Sequence, residues 1–477
     1  EIAFVSDRDG NDEIYLMELQ SGNLQRLTDD PADDWFPTWS PDGSQILFNS
    51  WRDGNLEIYV MPAPEPGEQV EAETGNIVRL TNNPAEDFNA VWQPKPAATS
   101  ESTSWMRLYD NKPKWAALDG VATGDGGFLL VGATNYSHDN TDREDITLVR
   151  IDSTGEIIWQ KTYGGDRFDR GNAIVPAGDG GFVILGETKS FGAGDRDCYL
   201  IKVDAQGNEL WSRTFGGPDL ERANDIQATA DGGFILVGQT HSLGAGGGDL
   251  YLVRVDGAGE EIWSQTYGNE VEEEGYAIQQ TADGDTLVLG QVLHAARFYT
   301  DQDPDLMLLK VDSSGHEIWS QVWEEAGIQG GVALDPTGEG SYLVTGTFSP
   351  AEDEDELGVL FLMVNAQGEL VWDRSFGEDQ VVDYSSDIVQ TIEGDYLVTG
   401  MVASGRKGAV LLVKVNKTGQ VLWTKHLAEG PGNKVGLRIL PTADGGYLII
   451  GVTGERAYNF ETILIKTDSE GNVALSP

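Results

Sequence analysis

Cysteine is almost missing from this chain: 477 residues hold one, Cys198. An intrachain disulfide is excluded, and the place of Cys198 at the head of an apolar run marks it as a small core residue rather than a reactive thiol. Positive charge is scarce as well. Lys and Arg number 31 against 79 Asp and Glu, a formal net charge of −48. Such a surface repels nucleic acid and anionic membranes, so neither is expected as a partner. No apolar run is long enough to cross a bilayer, and membrane insertion is not expected. Common catalytic patterns are missing too: there is no G-x-S-x-G, no H-E-x-x-H and no G-x-x-x-x-G-K-[ST]. The five histidines, His138, His241, His294, His316 and His426, are scattered, and no two have the spacing of metal ligands.

Glycine and short apolar runs are plentiful. Sixty glycines and 39% hydrophobic residues suit a well-packed all-β protein with many tight turns. In residues 221–266 the runs Ile226–Thr229, Phe234–Thr240 and Leu250–Asp256, with a fourth around Trp263, alternate with Asp-Gly-Gly, Gly-rich and Asp-Gly-Ala-Gly segments. Phe234–Val237 is continuously apolar, which predicts a strand covered on both faces. The same text recurs along the chain. Trp105, Trp159, Trp211, Trp263, Trp319, Trp372 and Trp423 are 54, 52, 52, 56, 53 and 51 residues apart. Between them stand Asp125-Gly-Gly-Phe128, Asp179-Gly-Gly-Phe182, Asp231-Gly-Gly-Phe234 and Asp444-Gly-Gly-Tyr447, with degenerate copies at Asp283, Gly340 and Glu393.

Four strands per unit of about 50 residues predict a β-propeller blade. A lone four-stranded sheet cannot cover both its faces, so the seven copies are expected to close into a ring. The seventh copy has no tryptophan strand of its own, whereas Trp105–Tyr109 has no blade before it. That N-terminal strand is expected to pair with 462–468 and complete the last blade, removing an exposed edge. Trp159, Trp211, Trp263, Trp319, Trp372 and Trp423 are expected to be largely buried between blades.

Residues 1–94 repeat on a different pattern. Ser6-Asp-Arg-Asp-Gly-Asn11, Glu13-Ile-Tyr15 and Arg26-Leu-Thr28 return as Asp53-Gly-Asn55, Glu57-Ile-Tyr59 and Arg79-Leu-Thr81, with Trp39-Ser-Pro-Asp-Gly43 between the copies. The Asp-Gly-Asn segments read as hairpin turns, because Asp, Gly and Asn tolerate the positive φ such turns require. These motifs resemble the β-propeller repeats of the periplasmic TolB family. The count is incomplete: 1–28 supplies three strands, 34–81 a full blade and 88–94 the opening strand of a third. Fewer than three blades cannot close a ring, and the family this segment resembles normally has six. The sequence is therefore expected to begin inside a propeller whose earlier blades lie upstream; a tandem of two open blades docked on the next domain is the alternative. Residues 95–104, rich in Pro, Ala, Ser and Thr, read as a linker to the second domain, 105–477.

The units of that second domain, such as Arg150-Ile-Asp-Ser-Thr-Gly-Glu-Ile-Ile-Trp159 and Lys202-Val-Asp-Ala-Gln-Gly-Asn-Glu-Leu-Trp211, resemble the tryptophan-docked repeats of pyrroloquinoline-quinone proteins and their non-enzymatic relatives. The resemblance implies a strand order running from the ring centre outward to the tryptophan strand. It then puts the uniform Asp-Gly-Gly and Asp-x-x-Gly turns on one face, and the variable strand-2/3 loops on the other. Many quinoprotein enzymes have an adjacent-cysteine disulfide and eight blades; one cysteine and seven copies argue against a bound quinone.

Acid gathers in the variable loops. Asp139, Asp142, Glu144 and Asp145 occupy one, Asp195 and Asp197 the next, Asp301, Asp303 and Asp305 a third, and Glu352, Asp353, Glu354, Asp355 and Glu356 a fourth. Asp301, Asp303 and Asp305 form D-x-D-x-D, which can give a hard cation such as Ca²⁺ three oxygens from one short loop. Leu306 stands where an EF-hand needs glycine, so the loop is not of that type. Calcium is the one cofactor candidate; otherwise none is expected. Small polar residues leading into the innermost strands, Asn172, Asn224, Ser385, Ser386 and Asn433, are expected around the channel mouth.

The chain reads as an all-β protein, a seven-bladed β-propeller preceded by a partial TolB-like propeller. It is expected to be a non-enzymatic binding or scaffold protein of the bacterial envelope or exterior (periplasmic, cell-surface or secreted). Its acidic loop face, carrying Asp139, Asp142, Asp145, Asp195, Asp197 and Glu352 to Asp355, would dock a protein, glycan or cationic partner. A polysaccharide-active or degenerate quinoprotein-like enzyme, and a self-assembling subunit of a surface filament or layer, are the alternatives.

Overall fold

The computed structural model describes residues 2–17, 22–40, 45–64, 77–81, 104–109, 115–134, 144–281, 283–293, 304–323, 328–337, 340–348, 357–377, 382–404, 407–454 and 460–474. All regular structure among them is β. The chain divides into two compact units, Glu1–Ser100 and Glu101–Pro477.

In the first unit, Ile2–Ser6, Glu13–Met17 and Leu24–Arg26 form a three-stranded antiparallel sheet, and Asp34–Trp39, Gln45–Ser50, Glu57–Pro62 and Val78–Arg79 a four-stranded one. The stretch 88–94 lies outside the described residues. The Asp-Gly-Asn segments are turns: the Gly10 amide donates to the Asp7 carbonyl at 3.1 Å and Gly54 to Trp51 at 3.0 Å. The recurring Glu and Arg-Leu-Thr motifs meet across strands. Buried Glu13 accepts from Arg26 and Thr28, each at 2.6 Å, and Glu57 accepts from Arg79 at 2.6 Å and Thr81 at 2.5 Å. Each carboxylate is thus desolvated only because a cation and a hydroxyl satisfy it.

Among the described residues the second unit has seven four-stranded antiparallel sheets. Their innermost strands, Trp115–Ala122, Asp169–Pro176, Glu221–Ala228, Glu272–Gln280, Ile328–Pro336, Val382–Gln390 and Asn433–Pro441, touch one another in that order, and the last touches the first. The sheets therefore close a ring, and are called blades 1 to 7 below. Closure uses the N-terminal strand as expected: Trp105–Tyr109 pairs antiparallel with Glu461–Thr467, Tyr109 opposite Thr462 and Trp105 opposite Lys466. The second and third strands are buried on both faces, as in Phe234–Thr240 and Asp249–Val255. Cys198 is fully buried in this core.

Every innermost strand has a bulge at the same place, skipping Leu118, Asn172, Asn224, Tyr276, Val332, Ser386 or Leu437. Six outer strands have another, at Ile158, Leu210, Ile262, Ile318, Val371 and Leu422, the residue before each tryptophan. A bulge in an edge strand spoils it as a template for pairing with further strands.

The tryptophans sit between blades. They are covered over most of their surface, as expected, with an edge left open. Each lies on the glycine of the Asp-x-x-Gly turn of the following blade, or of its Asn-x-x-Gly counterpart at Gly368 and Gly419: Trp105 on Gly155, Trp159 on Gly207, Trp211 on Gly259, and so around to Trp423 on Gly471. One face of the indole is covered by that turn, while the outer edge of the ring stays open because the strand bearing it is the last of its sheet. Four residues on, the hydroxyls of Tyr109, Tyr163 and Tyr267 donate to the carbonyls of the same glycines, Gly155, Gly207 and Gly315. Tryptophan and turn together join neighbouring blades.

A second recurring device lies within each blade. The base near the end of the third strand reaches the acid of the first turn: Arg150 to Asp125 and Arg254 to Asp231 at 2.5 Å, Lys202 to Asp179 and Lys466 to Asp444 at 2.8 Å, Lys310 to Asp283 at 2.9 Å and Lys414 to Glu393 at 3.8 Å. The cations are nearly buried and the acids mostly exposed, so the base carries its charge along the sheet to the rim. In blade 5 the base is replaced by Met363.

Candidate functional site

The strand-2/3 loops of blades 2 and 3 are well described and nearly identical in construction. Thr188 donates to Asp169 and accepts the amides of Ser190 and Phe191; Thr240 donates to Glu221 and accepts those of Ser242 and Leu243. The second oxygen of each acid takes a glycine amide from the preceding connection, Gly165 to Asp169 at 2.7 Å and Gly217 to Glu221 at 2.9 Å. Buried carboxylates thus serve as loop caps, and the side chains left outside are Phe191 and Leu243, each 43% exposed.

The acidic residues singled out from the sequence separate accordingly. Asp197 is 1% exposed, and its carboxylate accepts the amides of Ala193 and Gly194. It is not part of a docking surface, because its own glycine-rich loop folds over it. Burial, with Glu221 adding, pushes its carboxyl above the usual range. Asp145 is half-buried at the head of its strand, and burial and then Asp169 raise it too. Asp195 is on the surface, 3.5 Å from Lys189. Asp305 is half-buried at the start of Asp305–Val311. Asp139, Asp142, Asp301, Asp303, Glu352, Asp353, Glu354 and Asp355 lie outside the described residues. Among the described residues no three metal-ligating side chains converge.

At the channel, charge appears where the sequence reading expected only small polar groups. Asp119, Asp225, Asp387 and Arg438 occupy one position of four innermost strands, next to the bulge. Each carboxylate accepts the backbone amide of the following blade at 2.9 Å: Asp119 that of Ile174, Asp225 that of Ile278 and Asp387 that of Ile439. One step further along, Gln227 and Asp335 do the same for Gln280 and Gln390. Arg438 lies 3.3 Å from Asp119 and 3.7 Å from Asp387. Burial pushes Asp225, Asp335 and Asp387 up to about 6 and raises Asp119. Burial acts to discharge Arg438, but Asp119, Asp387 and Asp225 outweigh it and hold the guanidinium charged.

Asn172 and Asn224 are bulge residues whose amides bridge to the next blade, at 2.7 Å to the Ala223 carbonyl and 2.8 Å to that of Gly275. Ser385 is buried and donates to Gly346, and Asn433 is exposed. Around the same mouth runs a line of ion pairs: Arg170 with buried Glu144 at 2.8 Å, Arg196 with Glu187 at 2.8 Å and Arg222 with Glu274 at 3.6 Å. Sequence reading missed the channel charges. Their signal was present: in every repeat this position lies nine residues before the first residue of the second strand, and it is Asp119, Ala173, Asp225, Ala277, Ala333, Asp387 or Arg438.

Comparison with known proteins fits this geometry. The model of the TolB beta propeller domain matches residues 1–74, and the model described as outer membrane protein assembly factor BamB matches 85–300 and 306–463. The Tol-Pal system protein TolB of Desulfosudis oleivorans is 39% identical over 59 residues, 12% of this chain and 14% of that protein. An uncharacterized peptidase of Bacillus subtilis, YuxL, is 45% identical over 47 residues, 10% of this chain and 7% of its own length. The chain therefore spans a small part of the curated relatives it matches. Among solved structures, a PL25 polysaccharide lyase (an ulvan lyase) is similar with a TM-score of 0.52 and 10% identity, over 76% of this chain and 96% of that one. At that identity the likeness shows the propeller fold alone.

Proposed function

The chain belongs to the family of the outer membrane protein assembly factor BamB, and on that premise we propose that it is a binding or scaffold propeller of the bacterial envelope or cell exterior, without catalysis of its own. The observation that carries this is how the loop face is used. Its buried carboxylates cap loops, its arginines pair with Glu144, Glu187 and Glu274, and its channel aspartates hold neighbouring blades. Polar groups committed in this way build a rigid platform rather than a reacting centre. On it Phe191 and Leu243 are exposed at equivalent points of adjacent loops, and Asp195, in the same loop as Phe191, is exposed 3.5 Å from Lys189. Apolar anchors rimmed by charge are the usual form of a protein-docking surface.

Photo-crosslinkers placed at Phe191 and Leu243, and as controls at the turn-face residues Ala205 and Ala258, test this in the native cell. Discrete protein adducts from the first pair and none from the second are expected. Adducts confined to the turn face overturn the assignment of the docking face. The proposed Ca²⁺ at Asp301, Asp303 and Asp305 is tested apart: a melting temperature equal in millimolar Ca²⁺ and in chelator removes it.

A further inference from the structure

The turn face carries a feature that the repeat does not predict. Between blades 3 and 4 a groove of about 340 Å³ is walled by Arg254, Asp231 and Trp263. The corresponding groove between blades 5 and 6 reaches about 550 Å³, within the range of small-molecule sites. Met363 replaces the strand-3 base, so no buried cation crosses this wall, and Thr337 and Ser341 occupy the turn beneath.

The lining is mixed in a particular way. Val371, Trp372 and Ile392 form an apolar side, and Ile392 is 84% exposed at the tip of its turn. Opposite stand the hydroxyls of Thr337, Ser341 and Thr391 and the amide of Gln390. Thr391 is the informative one. In the equivalent turns Thr123, Thr229 and Thr442 donate to the aspartate two residues on, at 2.7, 2.7 and 2.5 Å. Here that residue is Glu393, drawn instead toward Lys414, and the buried Thr391 Oγ1 has no hydrogen-bond partner among the described residues. An orphaned buried hydroxyl is costly, and a ligand that satisfies it regains the loss. At the rim stands Lys417, which makes no ion pair among the described residues.

We propose that the groove between blades 5 and 6 is a saccharide-binding site for one or two sugar units. A sugar offers C–H faces for Trp372, Val371 and Ile392, and hydroxyls that donate and accept as Thr, Ser and Gln side chains require. Lys417 adds a charge-assisted contact to a uronic carboxylate. The site lies on the face opposite the docking loops and does not depend on that reading.

Calorimetric titration of the whole chain with cellobiose and with digalacturonate tests it. Saturable binding of at least one sugar below about 20 mM is expected. Met363→Arg restores the base found in the other blades, fills the groove and abolishes the signal while the protein stays folded by circular dichroism. Thr391→Val weakens binding about tenfold, the worth of one hydrogen bond, without lowering the melting temperature. Lys417→Met removes any preference for digalacturonate over cellobiose. No saturation with either sugar in the parent overturns the proposal, as does parent-like binding by folded Met363→Arg. Should Met363→Arg not fold, unchanged affinity in Thr391→Val overturns it instead.

Discussion

Replacing Gly259 by alanine probes the joint between blades directly, because blade 3 supplies its own control. Gly259 has φ +77°, and a Cβ built on it would meet the Trp211 ring at 2.7 Å, nearer than real Cβ atoms come to anything. Gly232, in the Asp-Gly-Gly turn of the same blade, has φ +83° and open space around its Cβ position. Alanine at either site adopts a left-handed backbone at a cost of about 1–2 kcal/mol. Only at Gly259 must a large aromatic ring also leave its seat. That ring keeps an open edge, so lost contact there adds about 1–3 kcal/mol, less than the roughly 3–5 of a fully buried tryptophan. Urea denaturation followed by far-ultraviolet circular dichroism should give Gly232→Ala a small loss and Gly259→Ala about twice that. In a Trp211→Ala background, Gly259→Ala should cost no more than Gly232→Ala. Equal losses with Trp211 present, or an unchanged Gly259→Ala loss without it, would refute indole docking as the joint.

The channel aspartates make a prediction about pH. Asp225, Asp335 and Asp387 bind protons up to about pH 6 in the folded protein but only to about 4 when unfolded. Their contribution is therefore full below pH 4 and lost as pH rises through 6. Asp225→Asn, which keeps an acceptor for Ile278, should raise the melting temperature at pH 8 and give no gain at pH 4; a pH-independent effect would contradict it. The turn acids act oppositely. Asp125, lowered to about 2 by Thr123, Gly127 and Arg150, should lose its stabilising effect as pH falls below 4, and Asp125→Asn should flatten the acid limb of the melting profile. Arg254→Met copies blade 5 into blade 3, and should cost about 1–2 kcal/mol while leaving the fold intact by circular dichroism; outright unfolding would show that Met363 relies on compensation elsewhere. Deleting 101–109 strips the last blade of its outer strand and should lower the melting temperature and expose Glu461–Thr467 to hydrogen exchange; unchanged protection there would refute closure by Trp105–Tyr109.

Much of this fold was legible because backbone requirements repeat. Positive-φ turns need Asp, Asn and Gly, indole docking needs a bare glycine, and two-sided burial needs runs such as Phe234–Val237, so each left a mark at a constant spacing. Closure by Trp105–Tyr109 followed from counting strands. The loop carboxylates were harder. Asp195 and Asp197 are two residues apart in one acidic loop, yet one is exposed and the other fully capped by amides. Sequence shows the charge of both, but not that Gly192, Ala193 and Gly194 turn their backbone onto only one. The tryptophans were easier: their constant spacing marked them as joints between blades, and only the open edge of each ring, due to an outer strand having a neighbour on one side, was not legible.

Redundancy explains how blade 5 can differ. The ring is joined at every interface by an indole on a turn, and at several by an aspartate or glutamine on the next backbone amide. Losing one base–acid pair inside a blade removes none of these joints: Trp319 still sits on Gly368, and Trp372 on Gly419. What changes is local, a groove wall that lacks its cation. Divergence in a closed repeat protein is therefore cheapest in contacts that act within one blade, and a blade that has lost such a contact is where binding chemistry should be sought. In the described blades that contact is missing beside Met363.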